Sequence, residues 1–108
     1  MINNITLVGR IANDIEVKEL EKSKVAVINL AVARNYKNKE GNYETDFISC
    51  QVWNELANTI KEYCKKGDLI GITGRLSTSV YEVDGNKRKS YDVIVESVSF
   101  LQAKKTEE

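Results

Sequence analysis

Histidine and proline are absent from this chain of 108 residues, and cysteine occurs only twice, at Cys50 and Cys64. A structural zinc site needs four cysteine or histidine ligands, so this composition excludes one. Two cysteines also cannot form the disulfide framework of a small secreted domain. We therefore expect both thiols to be small, buried, apolar side chains, and we expect no metal ion or other cofactor.

Long hydrophobic runs are missing as well. No apolar stretch reaches the roughly 18 residues that suggest a transmembrane helix, and the start MINNITLVGR lacks the features of a secretory signal. We therefore expect a cytoplasmic protein without membrane contact. With no proline-rich or low-complexity segment and no repeat at solenoid spacing, residues 1–103 are expected to form one domain. The polar residues 104–108 are expected to be a short disordered end.

Neither sign of charge is in excess, because 16 basic residues balance 16 acidic ones. This balance argues against a protein that binds nucleic acid by bulk charge alone. Cations are nevertheless concentrated in three places: Arg34 with Lys37 and Lys39, Lys61 with Lys65 and Lys66, and Lys87 with Arg88 and Lys89. Each cluster taken alone is typical of a solvated surface.

Periodicity and turn signals predict five strands and one helix. The strands are expected at residues 3–12, 25–34, 45–53, 69–82 and 90–101, the last two being joined by a turn at Asp84-Gly85-Asn86. The helix is expected over ELANTIKEYCKK, residues 55–66, with Asn54 as N-cap and Gly67 after the C-cap. A bulge or close backbone approach is expected at Gly9, and bends of the strand are expected at Gly71 and Gly74.

The order β-β-β-α-β-β indicates an all-β protein, namely a five-stranded Greek-key barrel of the oligonucleotide/oligosaccharide-binding (OB) fold. The helix would lie between the third and fourth strands, and an extended hairpin would join the fourth and fifth. The glycines support this prediction, because closing so short a sheet requires sharp bends. The alternative is an α+β sandwich with the helix on one face of the sheet.

The stretch FISCQVW, residues 47–53, places the only tryptophan on the polar side of a strand. Successive side chains of a strand point to opposite faces, so Ile48, Cys50 and Val52 share a face suited to a core. The other face carries two aromatic rings with polar side chains between them: Phe47, Ser49, Gln51 and Trp53. That face is too polar to belong to a core, and it is too aromatic for a solvent-exposed surface that binds nothing.

The same combination recurs at two other places. One face of the strand 75–81 carries Arg75, Ser77, Ser79 and Tyr81, and Tyr36 lies among cations in RNYKNK. Aromatic rings recover roughly 1–3 kcal/mol per stacked base, cations contact phosphates, and serine or glutamine can bind phosphates or base edges. Together these residues indicate sequence-tolerant binding of single-stranded nucleic acid.

An aromatic residue on a strand is otherwise most often a core residue or a cross-strand partner. We expect this for Tyr63 on the apolar stripe of the helix, and for Phe100 and Tyr91 in the last strand. The four rings at Tyr36, Phe47, Trp53 and Tyr81 are interpreted as base-stacking residues because they recur together with polar and basic neighbours.

The segments LVGR, DFISCQVW, KKGD and GRLSTSVYE, in this order and spacing, resemble the bacterial-type single-stranded DNA-binding proteins. The resemblance runs from about Asn3 to Leu101. It implies a homotetramer made of two dimers, paired partly through the N-terminal strand, and a nucleoid-associated role in DNA replication, recombination and repair. It places the stacking aromatics of the family at Tyr36, Phe47, Trp53 and Tyr81. It places cations along the DNA path at Arg10, Arg34, Lys65, Lys66 and Arg75, with further contacts at the hairpin tip from Lys87, Arg88 and Lys89.

Two departures from the family pattern have consequences. Ser77 and Ser79 stand where relatives often carry basic residues, so a weaker electrostatic contribution and a shallower salt dependence are expected. The family usually continues into a flexible linker and an acidic tail that recruits replication and repair enzymes, whereas this sequence ends at KKTEE. We therefore expect either a truncated domain or a short phage- or plasmid-type relative without the recruiting tail.

Two other functions stay open at this point. One is a primosome-type adaptor or an RNA-binding module on the same barrel, since stacking rings separate DNA from RNA poorly. The other is a nuclease, which needs clustered carboxylates that hold a metal ion or act as a general base. Glu44 with Asp46 is the nearest approach to such a pair, and a solvated strand edge explains it better. We therefore expect a protein that is not an enzyme.

Overall fold

The computed structural model of the chain describes residues 1–103. Along these residues the elements are β1 (Ile5–Ile11), β2 (Val17–Glu19), β3 (Lys24–Lys37), β4 (Tyr43–Trp53), α1 (Glu55–Tyr63), β5 (Leu69–Val83) and β6 (Asn86–Gln102). The predicted disordered end at 104–108 lies outside the described residues.

Five of the strands close into a barrel. The sheet has the order β1-β5-β6-β4-β3, and β1 returns to pair with β3 through Arg10–Ala31 and Ile11–Leu30. Only β4 and β6 run parallel among the described pairs, at Cys50–Val93 and Gln51–Ile94. This is the predicted OB barrel, with the helix after the third barrel strand, and the sandwich alternative is wrong.

The short strand β2 was not predicted. It has three residues and pairs with the start of β3, from Val17–Ala26 to Glu19–Lys24, outside the barrel. Two of its three side chains are exposed and charged, so it has no hydrophobic alternation that sequence reasoning could detect.

Alternating side chains of the barrel strands form the core. Leu30 of β3, Val52 of β4 and Ile72 of β5 are fully enclosed, and α1 adds Ala57 and Ile60. Both cysteines belong to this cluster, as predicted. The helix therefore closes the barrel by burying its apolar side on the ends of the strands.

The ends of α1 differ in part from the prediction. Asn54 occupies the N-cap position, but its side chain accepts a hydrogen bond from the backbone N–H of Lys24 at 3.2 Å and does not cap the helix. The helix ends at Tyr63, because the backbone of Cys64 is extended at φ −123° and ψ 154°. Gly67 has a positive φ of 98°, yet it lies three residues beyond this C-cap, so its predicted position directly after the C-cap is wrong.

Two glycines permit the closure of the barrel. A side chain at Gly9 would overlap the carbonyl oxygen of Ala31, and one at Gly74 would overlap the carbonyl oxygen of Ile94. The register of β5 with β6 also shifts between Thr73 and Gly74. The prediction of close backbone approach is therefore confirmed at Gly9 and extends to Gly74.

Two hairpins project beyond the barrel. The described pairing of β4 with β6 covers only two residue pairs, so the outer parts of the β3–β4 and β5–β6 hairpins separate from each other. The β5–β6 hairpin turns at Asp84 and Gly85, whose φ angles of 51° and 80° are both positive, as a two-residue type I′ turn requires. We call these projections the β3–β4 arm and the β5–β6 arm.

Candidate nucleic-acid interface

The outer side of β4 carries the residues that the alternation of FISCQVW assigned to it. Residues paired across antiparallel strands share a face, and β4 pairs with β3 at Trp53–Val25, Gln51–Val27, Ser49–Asn29 and Phe47–Ala31. The alternate residues Cys50 and Val52 are buried in the core. The predicted division of β4 into a core face and an outer face is confirmed.

The register joins β4 to β5 on this outer side. Gln51 pairs with Ile94 of β6, and Ile94 pairs with Arg75 of β5. Arg75 therefore shares a face with Gln51 and Trp53, and alternation along β5 extends that face to Ser77, Ser79 and Tyr81. We call the combined surface the outer aromatic face, which consists of residues 47, 49, 51 and 53 of β4 and residues 75, 77, 79 and 81 of β5.

Paired residues also form a row from β4 across β3 to β1, which we call the Phe47 row. Phe47 pairs with Ala31 of β3, and Ala31 pairs with Arg10 of β1. The guanidinium of Arg10 is exposed and donates hydrogen bonds to the Gly67 carbonyl oxygen at 3.0 Å and to Gln102 Oε1 at 3.5 Å. Two rows of paired residues thus run from β4 across one intervening strand to an arginine. We call them the two ring rows: Phe47–Ala31–Arg10, and Gln51–Ile94–Arg75 beside Trp53.

The four predicted stacking rings lie outside the core. Tyr36, Phe47 and Tyr81 are 62%, 70% and 48% exposed, and Trp53 is half-buried. The indole N–H of Trp53 donates to Gln51 Oε1 at 3.1 Å, which holds one edge of the ring. The predicted location of the rings is confirmed, whereas their contact with bases stays a prediction.

Tyr36 lies in a bulge of the β3–β4 arm. The register passes from Ala33–Thr45 to Lys37–Tyr43, so residues 34–36 of β3 face the single residue Glu44 of β4. Extra residues in one strand bend it and redirect its side chains. Tyr36 therefore lies in an irregular segment of an arm that projects beyond the barrel, and its ring is exposed there.

The guanidinium of Arg34 is occupied by two carboxylates. Its Nη1 donates to Glu44 Oε2 at 2.6 Å, and its Nη2 donates to Asp46 Oδ1 at 2.9 Å. The hydrogen bonding between Arg34 and Asp46 holds the pKa of the Asp46 carboxyl below its usual range and raises the pKa of Arg34. Glu44 and Asp46 thus both bind the guanidinium of Arg34. These two residues were the nearest approach to a metal site in the sequence.

The other predicted cations are exposed and fall into two groups. Lys65 and Lys66 precede Gly67, whose carbonyl oxygen accepts from Arg10, so they lie near that end of the Phe47 row. On the β5–β6 arm, Arg88 pairs with Tyr81 and shares its face, whereas Lys87 and Lys89 pair with Glu82 and Val80 on the opposite face. The tip cluster is therefore divided between two surfaces.

Three aromatic residues predicted to be packed are exposed instead. Tyr63 is at the last position of α1, beyond the buried Ile60, and its ring contacts that of Phe100 at 6.2 Å between centroids. Tyr91 is in phase with buried Val93, as predicted, but it lies on the β5–β6 arm, where no opposing layer covers it. These predictions were wrong because the periodicity of a strand or helix identifies a face without showing where the packed part of that face ends.

The sequence reasoning also overlooked Tyr43. Its ring is exposed at the base of the 38–42 turn, and the ammonium group of Lys37 lies 5.6 Å from its centroid. The sequence feature that could have identified Tyr43 is its place directly after the turn residues Gly41 and Asn42, opposite the basic end of a strand. Tyr43 adds another ring beside a cation on the β3–β4 arm.

Metal-binding clusters and membrane-spanning helices are both absent from the described residues. Across residues 1–103 no group of three or more histidine, cysteine, aspartate or glutamate side chains is placed to hold a metal ion. The one helix found in that range, α1, has nine residues, and none there is long and apolar enough to cross a membrane.

Comparisons with known proteins place this geometry in context. The model of the Single-strand binding protein family matches residues 2–101. Single-stranded DNA-binding protein 1 of Streptococcus agalactiae serotype III is 42% identical over 110 residues, which cover 100% of this chain and 68% of the relative. The single-stranded DNA-binding protein of Streptococcus mutans is 39% identical, with 67% of its length covered.

A solved structure has the same fold. The chain in "Plasmodium falciparum SSB complex with ssDNA" matches with a TM-score of 0.85 at 24% identity, over 94% of this chain and 96% of that one. The OB barrel is thus shared across a low sequence identity.

Proposed function

This chain belongs to the Single-strand binding protein family, and we propose on that basis that it binds single-stranded DNA without sequence preference. Binding would combine stacking of bases on aromatic rings with contacts between cations and phosphates. In a cell, this activity would protect single strands and keep them unpaired in the cytoplasm, at the nucleoid, during replication, recombination and repair.

The observation that carries this proposal is the arrangement of the two ring rows. Phe47 leads through Ala31 to Arg10, and Gln51 beside Trp53 leads through Ile94 to Arg75. A single strand presents flat bases and one phosphate per nucleotide, so a receptor needs rings with cations beside them. The outer aromatic face supplies both on one surface.

Apart from Arg34, whose guanidinium is bonded to Glu44 and Asp46, each remaining site residue has a role in this proposal. Tyr36 and Tyr81 would extend the stacking path onto the two arms, while Ser49 would bind phosphates or base edges and Gln51 would orient Trp53. The cations that would contact phosphates on the outer aromatic face and beside it are Arg10, Lys65, Lys66, Arg75 and Arg88. Lys87 and Lys89 would contact phosphates only where the strand passes around the tip of the β5–β6 arm to its opposite face. The family is a family of DNA-binding proteins, and we propose binding without catalysis.

We also propose a homotetramer built from two dimers. The described pairing of β1 with β3 involves only Arg10 and Ile11, although β1 begins at Ile5, and Val8 is exposed beside that edge. An edge with unpaired backbone groups can pair with another strand. Sedimentation equilibrium should give four times the monomer mass, and a monomer at micromolar concentration would contradict this part of the proposal.

The direct test is titration with oligo-dT while the emission of Trp53, the only tryptophan, is followed. We expect saturable quenching because a base stacks on the indole, and little quenching by duplex DNA of the same length. Equal binding of duplex, or no binding of oligo-dT, would contradict the proposal.

Competition between oligo-dT and oligo-U separates this function from RNA binding, because preference for the ribo-oligomer would favour an RNA-binding module. Incubation of labelled single strands with Mg²⁺ should give no cleavage, and product formation would favour a nuclease.

A further inference from the structure

We propose that Glu44 is a positioning residue that holds the bulge carrying Tyr36 in the shape needed for base stacking. This inference rests on the proposed function, since it assigns a role within single-stranded DNA binding. It concerns an acidic residue, which electrostatics alone would predict to be unfavourable beside a polyanion.

The bulge by itself lacks regular pairing. Between the pairs Ala33–Thr45 and Lys37–Tyr43, three residues of β3 face one residue of β4. Such a segment loses ladder hydrogen bonds and has more conformational freedom than a paired strand. Tyr36 is 62% exposed, so its ring has little packing of its own to fix it.

The carboxylate of Glu44 bridges the two sides of this segment. Its Oε2 accepts from Arg34 Nη1 at 2.6 Å, and its Oε1 accepts from Asn38 Nδ2 at 3.4 Å. Arg34 precedes Tyr36 by two residues, and Asn38 follows it by two. One side chain on the facing strand therefore connects both flanks of the residue to be positioned.

Each anchor of this bridge is itself held. Arg34 donates to both oxygens of Asp46 from Nε, at 3.2 Å each, which fixes the plane of its guanidinium. Asn38 Oδ1 accepts from the backbone N–H groups of Glu40 at 2.9 Å and Asn42 at 3.0 Å, which orders the turn at the end of the arm. The bonds between Arg34 and Asp46 are charge-assisted, so they restrain the guanidinium more strongly than neutral hydrogen bonds would.

In this inference Arg34, which the resemblance places along the DNA path, holds Glu44 and does not contact phosphates, because two carboxylates already bind its guanidinium. One guanidinium and two carboxylates give Glu44, Arg34 and Asp46 a formal charge of −1 together. Such a group repels phosphates overall. Its contribution to binding is therefore the shape of the bulge, and the DNA would contact the ring of Tyr36 instead.

The test compares Glu44→Ala, Glu44→Gln and Glu40→Ala by oligo-dT titration. Glu40 is an exposed acid on the same arm that donates to Asn38 Oδ1 through its backbone N–H, so replacing its side chain is a matched control for charge. We expect Glu44→Ala to bind about three- to tenfold more weakly although it removes a negative charge. Glu40→Ala should bind as tightly as the wild type or more tightly. Glu44→Gln keeps an acceptor oxygen and should recover part of the loss.

A double-mutant cycle with Tyr36→Ala separates positioning from a general structural effect. If Glu44 acts through Tyr36, Glu44→Ala should change affinity less than about twofold once the ring is absent. The inference is overturned if Glu44→Ala binds like Glu40→Ala, or if its loss persists in the Tyr36→Ala background. Thermal unfolding of each variant identifies any that fails to fold, and Glu44→Gln then decides. Absence of binding by the wild-type chain would instead refute the proposed function.

Discussion

The indole N–H of Trp53 donates to the side-chain oxygen of Gln51, two residues earlier on the same face of β4, at 3.1 Å. Phe47, at the other end of that face, is 70% exposed. The two rings therefore occupy different settings on one strand. Trp53 is part-buried and contributes to the fold, whereas Phe47 contributes little to it.

Replacing Phe47 or Trp53 by alanine should weaken oligo-dT binding by roughly 1–3 kcal/mol in each case, because one stacking ring is lost. The two variants should differ in stability. Phe47→Ala should leave the free energy of unfolding within about 0.5 kcal/mol of the wild type, whereas Trp53→Ala should reduce it by more. Titration and urea unfolding measure the two quantities. Unchanged affinity of Phe47→Ala would contradict its assignment to the site.

The β5–β6 arm offers two tyrosines on opposite faces for comparison. Tyr81 belongs to the outer aromatic face, while Tyr91 is 61% exposed on the other side, where it pairs with Thr78. Tyr81→Ala should weaken binding by roughly 1–3 kcal/mol, and Tyr91→Ala should change it by much less. Equal losses, measured by the same titration, would show that the strand does not follow the proposed face.

Ser79 is a position at which a cation can be added to the outer aromatic face. Ser79→Lys should raise affinity for single strands and steepen the slope of log K against log salt by about 0.7, the value for one added phosphate contact. Thr78→Lys places the same charge on the opposite face of β5 and should steepen the slope less. Titrations at several salt concentrations give both slopes, and identical slopes would contradict the assignment of faces.

Gly74 should be intolerant of a side chain because of the carbonyl oxygen of Ile94. Gly74→Ala is expected to lower the free energy of unfolding by about 1–3 kcal/mol, as overpacking does elsewhere. Gly71→Ala is the matched control on the same strand, since its methyl group would meet Leu101 and Val8 at ordinary distances of 3.6 and 3.7 Å. That variant should change stability by less than about 1 kcal/mol. Similar costs at both positions would refute this account of barrel closure.

The two thiols should be unreactive in the folded protein. Burial raises the pKa of Cys50 and of Cys64 to about 11 each, so only about one thiol in a thousand is ionised at pH 8. A thiol reagent should therefore react slowly with the native chain, faster as the pH approaches 11, and rapidly after unfolding in denaturant. Rapid modification of the native protein at pH 8 would contradict burial of the thiols.

Much of the fold was predictable because its signals are local. The alternation of FISCQVW separated the core residue Cys50 from the outer residue Trp53, and the Asp84-Gly85 pair marked the hairpin turn. The order of strands and helix then indicated the barrel. The inferences about faces and the turn depend only on neighbours along the chain, where backbone geometry dictates which side chains share a face.

Other features required the tertiary structure because they depend on residues far apart in sequence. The register of the strands pairs Gln51 with Ile94 and Ile94 with Arg75. In the bulged arm, Arg34 donates hydrogen bonds to Glu44 and Asp46. The sequence by itself determined the faces of the strands, including the face on which Tyr91 lies. Only the folded chain decided where the barrel ends, and therefore which residues on a face are covered by an opposing layer and which are left in solvent.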